Sequence, residues 1–571
     1  MSVVVQKPIR KSEKMKNDLL KIAKISIIVF VSFSALVHFV PFFEGSNSYY
    51  YGVASILFTE EGIAKSNIFL EKYETNEFLV ENWLRTDQNQ MIPMSGNGLI
   101  MLGGIFYLFG GHFGLYYLSP IIFIILLIVS ERVTTNLFGK YAGLIALILL
   151  AASNLLFRNI IQLHTESLFC LLFVIGAYFL IKFGRTQKSY FTLIASTCFV
   201  FCTTVRLSGA ISFPIEFFIL SVFILNHYFK NKKHFQTKKL LALLYAAIPW
   251  IIFFLIFTYG NVSNFGDPFV TYGALNTSHT KVFDTSSFFL IEFEAIDFEN
   301  VIQYSKYLLP YLFAGIFNNV DNNFESSLGQ NWIGFIPLIA LGLIFIISYK
   351  SKNKRLEIFV MALLLFGIVW FYSSITSEYL AEKGVPGRYI LPAFVFSSMI
   401  FGYAAERLFV GIGNKKWNIS KILQLSLVSV VFVFVLISFS FTPAVTMFGQ
   451  GDFRNPFDYE RSFPLKDESI NEKSILVTPN GSRALEYNVI PFNPYASGQL
   501  NIELLNSVIQ DYNAFVFKTP YTMNEIEVLH KLEKNGFVLI EHSENFCSLK
   551  SDTELLKPYE KCSFNKPIKG N

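Results

Sequence analysis

Apolar runs long enough to cross a bilayer recur along this chain. They occupy residues 25–43, 99–109, 115–129, 142–157, 168–183, 190–205, 210–229, 240–259, 301–317, 332–349, 358–372, 389–409 and 422–441. A spanning helix needs roughly 18 or more such residues, and many of these runs approach or reach that length. Inside hydrocarbon every backbone N–H and C=O must find its partner within the protein, so runs of this kind fold as helices. The composition agrees: 52% of the 571 residues are hydrophobic, 63 are Phe, and only 16% are charged, against roughly 25% in a soluble domain. The net charge of +5 then describes cytoplasmic loops and not a nucleic-acid surface. The fold class expected is an α-helical polytopic membrane protein.

Loop charge decides which runs cross. Residues 1–24 are basic, with Lys7, Arg10, Lys11, Lys14, Lys16, Lys21 and Lys24, and no small-residue cleavage site follows. This reads as a cytoplasmic N-terminus before a retained first helix, not a removed signal peptide. Further Lys/Arg-rich loops lie at 132–140, 182–188, 230–239, 350–355 and 407–421. The positive-inside rule places them all in the cytoplasm, so an even number of crossings must separate consecutive members. Three runs precede Arg132, so one of them does not cross. Run 99–109 is the shortest and is punctuated by Gly103, Gly104, Gly110 and Gly111, which makes it an outer-face interfacial or re-entrant segment. The same parity demotes 301–317, which Pro310 interrupts. About eleven spanning helices remain. The domains expected are a basic N-terminus at 1–24, a membrane domain at 25–448 with outer loops at 44–113 and 260–330, and an outer-face soluble domain at 449–571.

The tail is α/β in pattern. Residues 475–478 form an apolar run ending at the turn Pro479-Asn480-Gly481. Residues 514–517 and 537–540 read as strands, and 523–534 as an amphipathic helix capped by Gly536, in the order of a parallel crossover. Cys170, Cys198 and Cys202 fall in apolar helices as core residues. Cys547 and Cys562 share the outer tail, where an oxidising exterior allows a disulfide between them.

The polar residues of the outer face are the candidates for chemistry. The loop after the first helix carries Glu44, Glu60 and Glu61, with Tyr49, Tyr50 and Tyr51 between them. A carboxylate at the edge of an apolar slab suits a general base, and the competing reading is a solvated surface charge. Glu166, in Gln162-Leu-His-Thr-Glu166, opens the helix of run 168–183 with His164 beside it. Either it serves the helix N-terminus or it belongs to a site. Arg206 stands between two apolar runs at the outer boundary and needs an anionic partner, a lipid phosphate or a carboxylate of the chain. Arg388, in Pro386-Gly-Arg-Tyr-Ile-Leu-Pro392, joins a guanidinium to a helix start and suits a phosphate, with Tyr389 adjacent and Lys383 in the same loop.

The order of these features resembles the polytopic GT-C glycosyltransferases, in particular the protein O-mannosyltransferase and aminoarabinose transferase branch. The resemblance rests on the acid-bearing first loop and on Tyr50, Ala54, Leu57 and Gly62. It continues with Leu108-Phe109-Gly110, Arg132 with Leu137-Phe138-Gly139, Thr165-Glu166-Ser167, and Arg388-Tyr389-Ile390-Leu391-Pro392. It implies transfer of a sugar from a polyprenyl-phosphate donor to a protein, lipid or glycan acceptor on the outer face, with inversion at the anomeric carbon. Glu44 becomes the base, Glu166 the second acidic position and Arg388 the carrier-phosphate contact. The family has Asp where Ser46 and Asn47 stand here, and a Pro pair where Pro93 stands alone. No cofactor is required by this reading, and a carboxylate-bound divalent cation is compatible with it. The lipid bilayer is a partner and nucleic acid is not. Two other readings stay open: a secondary transporter or lipid-sugar flippase, which calls for charges at mid-helix, and a catalytically inactive GT-C-like scaffold subunit.

Overall fold

The computed structural model describes residues 6–39, 46–60, 64–66, 68–73, 83–93, 96–151, 161–230, 240–266, 355–375, 391–413, 501–518, 523–543 and 545–551. It also describes single positions or short pieces at 62, 153, 156–157, 467, 470, 473–478, 484–485, 487, 489–493 and 561–562. The chain divides into two compact units. One comprises Met1–Val40, Tyr116–Ile256 and Leu290–Asn455; the other comprises Pro41–Leu115, Phe257–Phe289 and Pro456–Asn571.

The first unit is helical. It holds α1 (Gln6–Val37), the second arm of a helix pair described below, and α5 (Lys140–Ala151), α6 (Thr165–Thr186), α7 (Tyr190–Val205), α8 (Ser212–Lys230), most of α9 (Leu240–Phe265), α10 (Arg355–Ile375) and α11 (Leu391–Gly413). Among the described residues, four helices are long and apolar enough to cross a membrane: Asn17–Val37, Asn97–Phe138, Thr165–Thr186 and Leu241–Phe265. Leu19, Ile22, Val29 and Phe33 of α1 and Leu244, Ile251, Leu255 and Val262 of α9 are exposed, an apolar surface suited to lipid. This is a membrane protein. The runs 301–317, 332–349 and 422–441 lie outside the described residues.

Small residues let the helices approach closely, as membrane helices require. A Cβ on Gly176 of α6 would sit 2.7 Å from the Phe199 ring of α7, and one on Gly402 of α11 would sit 2.4 Å from the Ala142 carbonyl oxygen of α5. Ion pairs tie the ends expected to face the cytoplasm. Lys24 Nζ lies 2.5 Å from Glu131 Oε1 and donates to Thr135 Oγ1 at 3.0 Å. Arg185 Nε donates to Glu357 Oε1 at 2.7 Å. The Glu406 carboxylate accepts the Ala142 N–H at 2.6 Å, where the dipole of α5 favours an anion.

The second unit begins with α2 (Ser46–Glu60), β1 (Lys65–Ser66), α3 (Ile68–Tyr73), β2 (Trp83–Arg85) and β3 (Gln90–Pro93). The strands form an antiparallel sheet in the order β1-β3-β2. Then comes α4 (Asn97–Phe138), broken at Gly111, where φ is 55° and ψ −142°. Run 99–109 is therefore not a free-standing element but the first arm of α4. That arm is about 21 Å long at 1.5 Å per residue, short of the roughly 30 Å hydrocarbon core. Gly103 and Gly104 receive α2: Cβ atoms there would fall 2.3 Å from Ser55 Oγ and 2.7 Å from the Phe58 ring.

The tail contributes β4 (Ser474–Val477), β5 (Ile490–Phe492), α12 (Ile502–Asp511), β6 (Asn513–Phe517), α13 (Met523–Lys534), β7 (Phe537–Glu541) and β8 (Phe546–Ser551). The sheet order is β5-β4-β6-β8-β7. Strands β5 and β6 flank β4 in parallel, while β8 runs antiparallel to both β6 and β7. The expected crossover through α13 is parallel in direction, but β6 and β7 are not neighbours. A short hairpin after β7 returns β8 between them, with Phe546, Cys547 and Leu549 buried. Gly536, at φ 84°, follows α13 as anticipated. Cys547 and Cys562 are disulfide-bonded, with a Cα–Cα distance of 6.0 Å, and so close the last stretch of chain onto β8.

Candidate active site

Two of the candidate residues meet in the helical unit. Helix α6 starts at Thr165 with His164 as its N-cap, so Glu166 lies in the first turn, where the helix dipole favours a carboxylate. The Glu166 side chain is only 3% exposed. Helix α7 ends at Arg206, whose backbone is extended (φ −148°, ψ 130°) and whose N–H donates to the Cys202 carbonyl at 2.8 Å. From that corner Arg206 Nη1 donates to Glu166 Oε1 at 2.9 Å. The anionic partner expected for Arg206 is thus a carboxylate of the chain.

The corner is built by the residues after Arg206. Leu207–Ile211 form a 3-10 turn that folds back onto the last turn of α7. A Cβ on Gly209 would stand 2.6 Å from both the Cys202 carbonyl carbon and the Thr203 nitrogen, so this approach needs glycine. On the other side of the pair, the His164 N–H donates to Ser119 Oγ at 3.3 Å, and His164 Nε2 donates to Gln162 Oε1 at 2.8 Å. The amide oxygen only accepts, which sets the imidazole tautomer. Thr165 Oγ1 lies 3.4 Å from Glu166 Oε2.

The first-loop candidates belong to the other unit. Tyr49 and Tyr50 are buried on α2, and Glu60 is exposed at its C-terminal end. Asn47 lies in the first turn of α2. Glu44, Glu61, Lys383, Arg388 and Tyr389, and the side chain of Asn47, lie outside the described residues.

One buried acid went unnoticed in the sequence. Glu216 of α8 is fully buried and joins three helices: Ser196 Oγ of α7 donates to its Oε1 at 2.6 Å, and Trp250 Nε1 of α9 donates to its Oε2 at 3.0 Å. The available signal was a lone carboxylate inside the apolar run 210–229. Among the described residues, no three His, Cys, Asp or Glu side chains converge as metal ligands would.

No family model and no curated protein matches the sequence. Solved structures do match. ArnT from Cupriavidus metallidurans bound to undecaprenyl phosphate aligns over 94% of this chain and 99% of its own, at 10% identity and a TM-score of 0.52. The fold is similar to that of ArnT. Two structures of the Archaeoglobus fulgidus oligosaccharyltransferase also align with the chain. AglB in complex with an inhibitory peptide and a dolichol-phosphate has 11% identity and a TM-score of 0.48, over 94% of this chain and 75% of that one. The complex with Zn and sulfate has 12% identity and the same TM-score, over 93% and 74%. The Glu166–Arg206 pair occupies the corner where α6 begins and α7 ends.

Proposed function

We propose that this protein is a membrane glycosyltransferase that moves a sugar from a polyprenyl-phosphate-linked donor to an acceptor on the outer face of the membrane. The observation that carries the reading is the match over nearly the whole of both chains to ArnT bound to undecaprenyl phosphate. In the proposed topology the N-terminus is cytoplasmic, about eleven helices cross, and the tail from residue 449 lies outside. The Cys547–Cys562 disulfide supports an oxidising location for that tail.

The chemistry needs a base and cations. Glu44 takes the proton from the acceptor nucleophile as that atom bonds to the anomeric carbon, and the bond from that carbon to the carrier phosphate breaks. Glu60 and Glu61 are the alternates for the base, and Asn47 stands beside them in the same loop. Arg388, with Lys383 and Tyr389, neutralises and seats the departing polyprenyl phosphate. Arg206, held by Glu166, is a further candidate for contact with the carrier phosphate. A divalent cation held by the first-loop acids is compatible with this scheme.

The test is donor consumption by the purified full-length protein in nanodiscs, using a panel of polyprenyl-phosphate sugars. Wild type consumes a donor and Glu44→Gln does not. Equal turnover by Glu44→Gln sinks the base assignment, and no consumption of any polyprenyl donor sinks the enzyme reading. Glu216, an acid within the apolar core, bears on the transporter or flippase reading, but it lies in the second turn of α8 and not at mid-helix, where that reading calls for charge. Both of its oxygens accept hydrogen bonds from neighbouring helices, as a structural staple would. Movement of a lipid-linked sugar across proteoliposomes without transfer would favour that reading.

A further inference from the structure

Helix α3 is a short helix in the middle of the first outer loop, and the tail holds it through a mixed aromatic and ionic contact. Phe69 is 1% exposed, and its ring centroid lies 4.6 Å from that of Tyr512. Lys72 Nζ donates to Asp511 Oδ2 at 2.8 Å and sits 3.5 Å from the Tyr512 hydroxyl. The same ammonium lies 4.9 Å above the Tyr512 ring and 5.1 Å above that of Tyr73. Lys72 and Asp511 are 439 residues apart in sequence.

Asp511 is misplaced for its own helix. Helix α12 begins well, with Asn501 accepting the Leu504 N–H at 3.1 Å and Glu503 in the first turn. It ends on Asp511 with no basic residue in its last turn. A carboxylate there meets the negative end of the helix dipole and weakens α12. Lys72 supplies the missing cation from the other end of the chain, so the acid serves the contact and not the helix.

What is held also matters. Strand β1, just before α3, pairs with β3 at Lys65↔Met91, and the same stretch of chain leads back to Glu60 at the end of α2. The contact therefore holds α3 within the same stretch of sequence that carries Glu44, Glu60 and Glu61. The pair is half exposed (45% and 53%), so salt reaches it, while Phe69 is the buried anchor. We propose that Lys72, Asp511 and Tyr512 are positioning residues, a salt-weakened latch by which the tail sets the place of the acid-bearing first loop. The link to catalysis rests on the glycosyltransferase reading; the latch itself does not.

The test uses the full-length protein in nanodiscs, with Lys72→Glu, Asp511→Lys and the swap Lys72→Asp/Asp511→Lys. Hydrogen exchange of the peptide spanning residues 64–73 reads the latch. Each single variant should raise exchange there about two- to fivefold, 1 M salt should do the same to wild type, and the swap should restore protection. Turnover reads the positioning: each single variant should lower kcat with the donor KM unchanged, and the swap should recover kcat. Tyr512→Ala, which removes the ring that Phe69 and Lys72 pack against, should raise exchange and lower kcat as the single charge variants do. Unchanged exchange in the single variants overturns the latch, as does failure of the swap to restore it. Raised exchange with unchanged kcat overturns the positioning role. If wild type consumes no donor, the glycosyltransferase reading falls, and the exchange results still decide the latch.

Discussion

Replacing Arg206 with alanine takes away the guanidinium that faces a carboxylate with only 3% of its side chain exposed. Arg206 itself is 17% exposed, so solvent screens the pair weakly. Removing one partner of a buried ion pair costs about 3–5 kcal/mol, because the other charge is left in a poor environment. Glu166 retains two compensations, the start of α6 and the Thr165 hydroxyl at 3.4 Å, which argues for the lower end, about 3 kcal/mol. Glu166→Gln keeps a carbonyl acceptor at the same place and should cost less, about 1–2 kcal/mol. The decisive quantity is the coupling. The double variant should be less destabilised than the sum of the single ones by about 1–3 kcal/mol. Equilibrium unfolding in mixed detergent micelles, followed by tryptophan emission of the full-length protein, measures all four corners of the cycle. Additivity within about 0.5 kcal/mol would show that the two side chains are neighbours without being partners, and the reasoning from burial would fail.

Further outcomes follow from the geometry. Gly209→Ala sets a methyl group against backbone atoms of α7 that cannot yield, so it should cost about 1–3 kcal/mol in the same unfolding assay. Gly110→Ala, with nothing within 4 Å of the new Cβ, should be close to neutral. Cys547→Ser with Cys562→Ser opens a link of sequence separation 15 and should lower the stability of the tail by about 3 kcal/mol. In wild type both thiols should resist maleimide until a reductant is added. The latch should also have a defined pH window. The Lys72 hydrogen bond holds the Asp511 carboxyl below its ordinary value, and the Asp511 hydrogen bond raises that of Lys72, with Tyr73 and Tyr512 as the neighbouring groups. The Asp511 contribution is therefore present above the ordinary aspartate range, near pH 4, and is lost as pH falls through the lowered value. The Lys72 contribution is present below about pH 10 and is lost as pH rises through the raised value. Exchange at residues 64–73, corrected for intrinsic rate, should then be flat between pH 5 and 9; a step in that range would refute the pairing.

Much of the helical unit was legible because the bilayer imposes a one-dimensional code. Length and hydropathy locate a crossing, and the sign of loop charge orients it. Arg206 was legible in part: the reading called for an anion, either a lipid phosphate or a carboxylate of the chain, and the structure pairs it with Glu166. Glu216 was hidden by that code. A single acid barely lowers the hydropathy of the run 210–229, and its acceptability depends on Ser196 and Trp250, donors on two other helices. In the tail, alternation and turn residues found β4, β6, α13 and β7. They could not find that β8 would insert between β6 and β7, because strand order is a matter of which edges meet, not of local pattern.

The joining of the first long loop to the tail in one compact unit was the least legible feature, and the reason is energetic. Each partner hides its part in an ordinary local role. Phe69 reads as the apolar residue of a short helix, Tyr512 as the residue after one, and Lys72 and Asp511 as surface charges. Only the conflict inside α12, an acid at the end of a helix that lacks any base in its last turn, departs from what local stability would select. A residue that weakens its own element is the one-dimensional trace of a contact made elsewhere. In this chain that trace leads from the tail to the loop bearing the proposed base, which is why the two should respond together to salt and to the charge swap.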